Sequence, residues 1–244
     1  MEPLEERALL AVFNPLAGAL DGAAGSLRAA ILAANTNAQN DTINLQAGTY
    51  ALSLANVAGQ ENLGALGDLD LRGANFSMTF LGAGQGVTII NGADLDRVFH
   101  ILPNVNVTFR NLTITNGTAV DNGTASAAAG STEARGGGIL KDGAGRLTLD
   151  NVGLTENIAA GGGIQAAKGG GLFAALGLVN ILNGTSIGQN QALGGGGGRR
   201  RGVGDWGGRR GRWNGWRSGW RWRQRPWGQW LRPTAAAFFL RRAH

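Results

Sequence analysis

The sequence predicts an all-β fold, a right-handed single-stranded parallel β-helix with one short α-helix capping its first coil. Three observations predict it. Short apolar strands bounded by Gly, Asn or Asp follow one another from residue 41 onward, the strand-and-turn pattern repeats along the chain, and no long helix separates the strands. Because α/β folds alternate strands with helices, this pattern argues against an α/β sheet.

The repeat is clearest in residues 107–115 and 147–155, whose apolar and polar positions match at an offset of 40. Residues 136–139 match residues 169–172 at an offset of 33, and residues 179–187 carry the strand pattern again with one inserted residue. Constant strands in repeats of variable length are typical of a solenoid, in which the extra residues form loops. We expect adjacent coils to lie about 4.8 Å apart.

One amphipathic helix is predicted within residues 26–35. Ser26 suits the N-cap, Asn35 ends the helix, and apolar side chains recur between them at helical spacing. The first coil of a solenoid exposes unpaired backbone groups and an open apolar core. We therefore expect this helix to cover that end.

Asn111, Asn151 and Asn183 stand at equivalent turns between two apolar strands. Such turns require a left-handed residue, a conformation that Asn and Gly adopt at low cost. We predict that the three side chains stack into a hydrogen-bonded amide ladder, and we favour this structural role over ligand binding. The Gly triplets lack the helix and the Lys-Ser/Thr pair of a phosphate loop, so we interpret them as turns and close-packed strand starts.

The charge distribution divides the chain. Residues 194–244 hold 13 of the 22 basic residues, 1 of the 16 acidic residues and all 7 Trp. The net charge of +6 is therefore the sum of a tail near +12 and a body near −6. We predict an N-terminal segment at 1–20, the β-helix at 21–193 and a disordered Gly/Arg/Trp tail at 194–244. The sequence predicts no transmembrane helix, and residues 1–7 do not form a standard signal peptide, so no export signal is visible.

The tail has two interpretations. Arg contacts with phosphates and Trp stacking on bases would make it a nucleic-acid-binding segment. Alternatively, the tail is an out-of-frame translation of a GC-rich stretch that encodes further Gly-rich repeats. Such a translation would yield the same composition, rich in Gly, Arg and Trp. The change of composition falls in the Gly run at 194–198, where a base is easily gained or lost. The other reading frames of the gene would distinguish the two hypotheses.

Residues that could perform chemistry are few. The weak calcium candidates are Asp68, Asp70, Asp94 and Asp96. With Arg97 they are also the groups that a polysaccharide lyase would use, provided that at least three carboxylates converge on one groove. His100 lies in an apolar stretch and is interpreted as a strand residue, and one His without Cys predicts no zinc site. We predict no catalytic residue, no bound metal and no cofactor.

Residues 25–50 resemble the CSLREA domain of bacterial surface proteins. They carry Ser-Leu-Arg at 26–28, Asp-Thr-Ile at 41–43 and Gly-Thr-Tyr at 48–50, while Gly25 and Ala29 replace the Cys and Glu of the family motif. The similarity continues through Gly-Asp-Leu-Asp-Leu at 67–71 and covers roughly residues 21–118.

Two further segments resemble bacterial families. Gly-Gly-Gly-Ile followed by Thr-Glu-Asn is similar to the repeats of polymorphic outer-membrane proteins, and residues 2–10 resemble the LEPR-XLL segment. Together the resemblances imply a right-handed β-helix of the pectin-lyase type at the outer surface of a bacterium or outside the cell. They imply no activity.

The sequence therefore predicts a non-enzymatic structural or adhesive surface module, with cell-surface glycans or proteins as possible partners. A polysaccharide lyase or hydrolase is the first alternative, because other β-helices carry that activity, although a fold does not imply a function. Nucleic-acid binding through the tail is the second alternative and is not favoured. Salt-dependent RNA binding by residues 194–244 would support it.

Overall fold

A computed structural model describes residues 10–37, 39–57, 59–73 and 76–196. The chain divides into the units Met1–Arg199 and Arg200–His244, and the second unit lies outside the described residues. The same is true of residues 1–9, so both the LEPR-XLL resemblance and nearly all of the predicted tail fall outside the described part. Within it the protein is mostly β-structure, with parallel strands and one helix.

The described residues form eighteen strands in four parallel sheets. The long sheet consists of β1 (Leu10–Phe13), β2 (Asn40–Asn44), β3 (Gly48–Ala51), β5 (Ser77–Leu81), β6 (Thr88–Asn91), β8 (Asn106–Thr115), β12 (Arg146–Thr155), β16 (Leu178–Leu182) and β17 (Ser186–Gly188). The second sheet consists of β4 (Leu69–Leu71), β7 (Phe99–Ile101), β11 (Ile139–Lys141) and β15 (Leu172–Ala174). The third sheet consists of β9 (Thr118–Ala119), β13 (Ile158–Ala160) and β18 (Gln191–Leu193), and β10 (Ala134–Arg135) pairs with β14 (Ala167–Lys168).

The strand registers reproduce the offsets of the sequence repeat. Val107 in β8 lies opposite Leu147 in β12, an offset of 40, and this pairing continues to Thr115 opposite Thr155. Ile139 in β11 lies opposite Leu172 in β15, an offset of 33. Segments that match in sequence are therefore hydrogen-bonded neighbours.

The apolar core lies between the long and second sheets and follows the period of two expected for strands. In β8, Val107 and Phe109 are buried while Asn106 is exposed. Phe80, Phe99 and Phe109 come from three strands, and their ring centroids lie 4.7–5.5 Å apart. Each buried side chain of this size contributes about 1.5–3 kcal/mol by leaving water.

Several strands differ from those the sequence predicts. The two apolar strands predicted on either side of Asn111 form the single strand β8, and those on either side of Asn151 form β12. In each case the left-handed Asn turns the chain without ending its pairing. β4 and β11 were not predicted. Both are three residues long and buried on both faces, and β4 carries Asp70 where an alternating strand would carry an exposed residue.

The predicted helix is confirmed as α1 (Leu27–Ala34), with Ser26 accepting a hydrogen bond from the Ala29 amide as the N-cap. Its apolar face packs towards β4 and β2 and buries Leu27, Ile31 and Ala34. The helix thus lies beside the first strand of the second sheet.

Arg28 connects α1 to two loops. Its guanidinium, 1% exposed, donates to both carboxylate oxygens of Asp21 and to the carbonyls of Gly64, Gly67 and Asp68. One oxygen of Asp21 also accepts from the backbone amides of residues 53 and 54. This contact set fixes the segment that carries Asp68.

Asp21→Asn is expected to reduce the acid sensitivity of the fold. Burial raises the pKa of Asp21, but hydrogen bonds from Arg28 and from two backbone amides outweigh it and hold that pKa below 3.8. A depressed folded-state pKa means that the ionised carboxylate stabilises the fold above the unfolded pKa, and that this stabilisation is lost as the pH falls through the folded-state pKa.

Urea unfolding between about pH 5 and pH 2 measures this effect. The unfolding free energy of the wild type should fall more steeply with acidification than that of Asp21→Asn. Asp94→Asn, which neutralises an exposed turn carboxylate, controls for the loss of one charge. Parallel curves for the wild type and Asp21→Asn would contradict the assignment.

Candidate functional site

Three strands of the second sheet, β4, β7 and β11, are buried on both faces. Leu69 and Leu71 of β4 lie in the apolar core, whereas Asp70 of β4 and His100 of β7 point to the opposite face and are also buried. Loops cover that face, and the backbone amide of Gly64 donates to Asp70 Oδ2 at 2.8 Å. The charged side chains gathered there form the buried ionic cluster, which consists of Asp68, Asp70, Asp96, Arg97, His100 and Asp121.

Arg97 is the permanent cation of the cluster. Its Nη1 lies 3.1 Å from Asp68 Oδ2, and its Nη2 donates to both the carboxylate and the carbonyl of Asp121. Burial lowers the pKa of Arg97, but the charges of Asp68, Asp96 and Asp121 outweigh burial and raise it. The guanidinium therefore stays charged.

His100 lies between two carboxylates. Its Nε2 is 3.1 Å from Asp142 Oδ2 and its Nδ1 is 3.2 Å from Asp70 Oδ1. The second contact lies outside hydrogen-bond geometry, so Asp70 Oδ1 and His100 Nδ1 have no hydrogen-bond partner among the described residues. Burial lowers the pKa of His100, but the contacts with Asp142 and Asp70 and the charge of Asp68 raise it to about 9.

The cluster contains more acidic than basic groups. Four buried carboxyl groups face one guanidinium and one imidazole. Burial raises the pKa of Asp68, Asp70 and Asp96, and the charges of Asp70 and Asp96 add to the effect on Asp68. Because uncompensated buried charge is costly, the cluster favours the uptake of protons or of a cation.

The structure separates the four calcium candidates. Asp68, Asp70 and Asp96 belong to the cluster, whereas Asp94 is exposed in a turn. Asp68, Asp70 and His100 each offer one ligand atom, and these atoms lie within 4.8 Å of one another. A calcium ion requires six to eight oxygen ligands, which this set does not supply.

The Asp96 side of the cluster borders a cavity of about 300 Å³, which is also lined by Gln60, Asp121 and Ala127–Ala129. Asp96 Oδ2 accepts from Asn56 at 2.7 Å, and Gln60 donates to Asp68. No sequence pattern marks Asp121 or Gln60, because both lie in loops without a repeat. His100 lies in a strand, as predicted, but the partners that the register brings beside it have no signal in the sequence.

The three ladder asparagines all adopt positive φ, at 55°, 53° and 33°. Asn151 Nδ2 donates to Asn111 Oδ1 at 2.8 Å. Asn183 differs from the predicted ladder, because its amide donates to Asp150 Oδ1 at 2.6 Å instead of Asn151. A carboxylate is a stronger acceptor than an amide, which accounts for the exchange.

A second asparagine pair lies in the interior. Asn157 is fully buried, and its Nδ2 donates to Asn190 Oδ1 at 3.0 Å. Its Oδ1 accepts from the Gly117 amide. The match between these two asparagines at an offset of 33 is the sequence pattern that marks the pair. Their amide groups are occupied by backbone and by each other, which is a structural role.

No protein-family model matches this sequence, and no curated protein or solved structure matches it either. Across the described ranges, no helix is both long and apolar enough to span a lipid bilayer.

Proposed function

We propose that residues 21–193 form a right-handed single-stranded parallel β-helix that serves as a non-enzymatic structural or adhesive module at the surface of a bacterium. The observation that carries the proposal is the continuous register of the long sheet. Thr79, Thr108, Thr148 and Asn180 are successive neighbours in β5, β8, β12 and β16. Repeated units stacked in one direction are what a solenoid requires.

The burial of the candidate catalytic carboxylates supports a non-enzymatic role. Asp68 and Asp70 are 0% exposed, and their oxygens contact Arg97, Gln60 and the Gly64 amide. A polysaccharide lyase needs such groups within hydrogen-bond reach of a polymer in an open groove. The surface location rests on the resemblance of residues 21–118 to the CSLREA domain.

Distances between paired spin labels test the β-helix. The chain has no Cys, so Cys pairs can be introduced without removing native thiols. Thr42 and Thr79 are also neighbours in register, which extends the row of outward positions back to β2. Labels at Thr79 and Asn180 should lie about 14 Å apart, and labels at Thr42 and Asn180 about 19 Å apart, because each step along the stack adds about 4.8 Å. Distances that do not grow by one step per strand would contradict the β-helix.

Polymer turnover tests the function. The full-length chain is incubated with a panel of acidic and neutral polysaccharides, and release of unsaturated or reducing ends is measured. We expect no turnover by either the wild type or Asp96→Asn, which removes one of the two carboxylates that line the cavity. Turnover by the wild type that Asp96→Asn abolishes would instead establish the lyase or hydrolase alternative.

A further inference from the structure

We propose that Asp70, His100 and Asp68 form a buried binding site for one divalent transition-metal ion of the zinc class. The site lies on the loop-covered face of the second sheet, where Asp70 of β4 and His100 of β7 are neighbours in register. The proposal is independent of the surface function, because a structural metal would serve any role of the fold.

Two unpartnered atoms indicate where the ion binds. Asp70 Oδ1 and His100 Nδ1 belong to residues that are 0% and 1% exposed, and neither atom has a hydrogen-bond partner among the described residues. They lie 3.2 Å apart. Two ligands bound to one tetrahedral zinc ion at about 2.0–2.1 Å lie roughly 3.3 Å from each other. The observed separation therefore suits a shared ion, as it also suits a direct ion pair when His100 is protonated.

The remaining polar atoms of both ligands are held in place. His100 Nε2 lies 3.1 Å from Asp142 Oδ2, which forms the carboxylate–histidine arrangement found behind metal-ligating imidazoles. That contact leaves Nδ1 directed at Asp70. The other oxygen of Asp70 accepts from the Gly64 amide at 2.8 Å, so Oδ1 is the oxygen available to the ion.

The charge of the cluster favours a divalent cation. Four buried carboxyl groups face only Arg97 and His100 as cations, so even a protonated His100 leaves carboxylates in excess. A divalent ion would displace the proton on His100 Nδ1 and put two positive charges between His100 and Asp70 in its place. Asp68, whose ligand oxygen is within 4.8 Å of the other two ligand atoms, would complete the set by exchanging part of its contact with Gln60 for the ion. A mixed imidazole and carboxylate set suits zinc better than calcium.

Metal binding to the untagged full-length chain, freed of metal by a chelator, is the test. Calorimetry and elemental analysis with Zn²⁺ should give one ion per chain, and Co²⁺ should produce visible d–d absorption. With free Zn²⁺ at 100-fold its Kd, Tm should rise by about 5–10 °C. A folded wild type that binds neither ion would overturn the proposal.

Matched variants locate the site. Asp70→Asn and His100→Gln should each weaken binding at least tenfold, as expected for loss of a ligand. Asp94→Asn and His244→Gln, which alters the other of the chain's 2 His, should bind like the wild type. Unchanged binding in Asp70→Asn and His100→Gln, or loss of binding in His244→Gln, would overturn the assignment.

A measurement on the wild type covers the case in which a variant fails to fold. The ¹⁵N resonance of His100 Nδ1 should shift on addition of Zn²⁺ as that nitrogen exchanges its proton for the metal. An unchanged His100 resonance at saturating Zn²⁺ would overturn the proposal without recourse to any substitution.

Discussion

Arg28→Met is expected to lower the free energy of unfolding by about 3–5 kcal/mol, the range for breaking a buried ion pair by removing one partner. The substitution keeps an unbranched apolar chain but leaves the carboxylate of Asp21 without its cation. It also removes the side-chain donor from the carbonyls of Gly64, Gly67 and Asp68. Urea unfolding followed by circular dichroism measures the loss.

Two further variants sharpen this prediction. Arg28→Lys should recover only part of the stability, because an ammonium cannot present the planar fork that contacts Asp21 and three carbonyls together. Arg110→Met is the matched control, since Arg110 pairs with Asp150 but its side chain is 49% exposed. Exposed pairs contribute little to stability. Equal losses in Arg28→Met and Arg110→Met would refute the role assigned to Arg28.

Gly137→Ala is expected to destabilise the protein by about 3 kcal/mol, the upper range for overpacking. A Cβ at this position would lie 2.2 Å from the carbonyl oxygen of Ile158 and 2.6 Å from that of Gly170. Both obstacles are backbone atoms, so neighbouring strands would have to separate and lengthen their hydrogen bonds. Thermal or urea unfolding gives the measurement.

Gly188→Ala provides the control for the glycine prediction. A Cβ at Gly188 meets nothing within 4 Å, and the residue has no left-handed backbone conformation that an alanine would strain. This variant should stay within about 0.5 kcal/mol of the wild type. If both alanine variants unfold alike, the close packing around Gly137 does not occur in solution.

Local patterns in the sequence were sufficient to predict the helix and most strands of the long sheet. The N-cap at Ser26 and the helical spacing of apolar residues predicted the helix that is observed at Leu27–Ala34, and short apolar segments predicted strands from residue 41 onward. The repeat offsets of 40 and 33 are visible in the sequence, and they equal the offsets between paired residues of neighbouring strands. These features depend on residues close in sequence or on matching segments, so a single chain contains the information.

Only the tertiary structure decided the composition of the buried ionic cluster. Asp70 and His100 are neighbours because β4 pairs with β7, while Asp121 reaches Arg97 from a loop that has no repeat pattern. The strand β4 was also decided by the tertiary structure. Its central residue, Asp70, is of a type common in turns, and it is buried in a strand only because loops cover that face of the sheet. A sequence specifies which residues alternate and which repeat. It does not show which polar side chains a loop encloses, because burial of a charge depends on contacts between segments far apart in the chain.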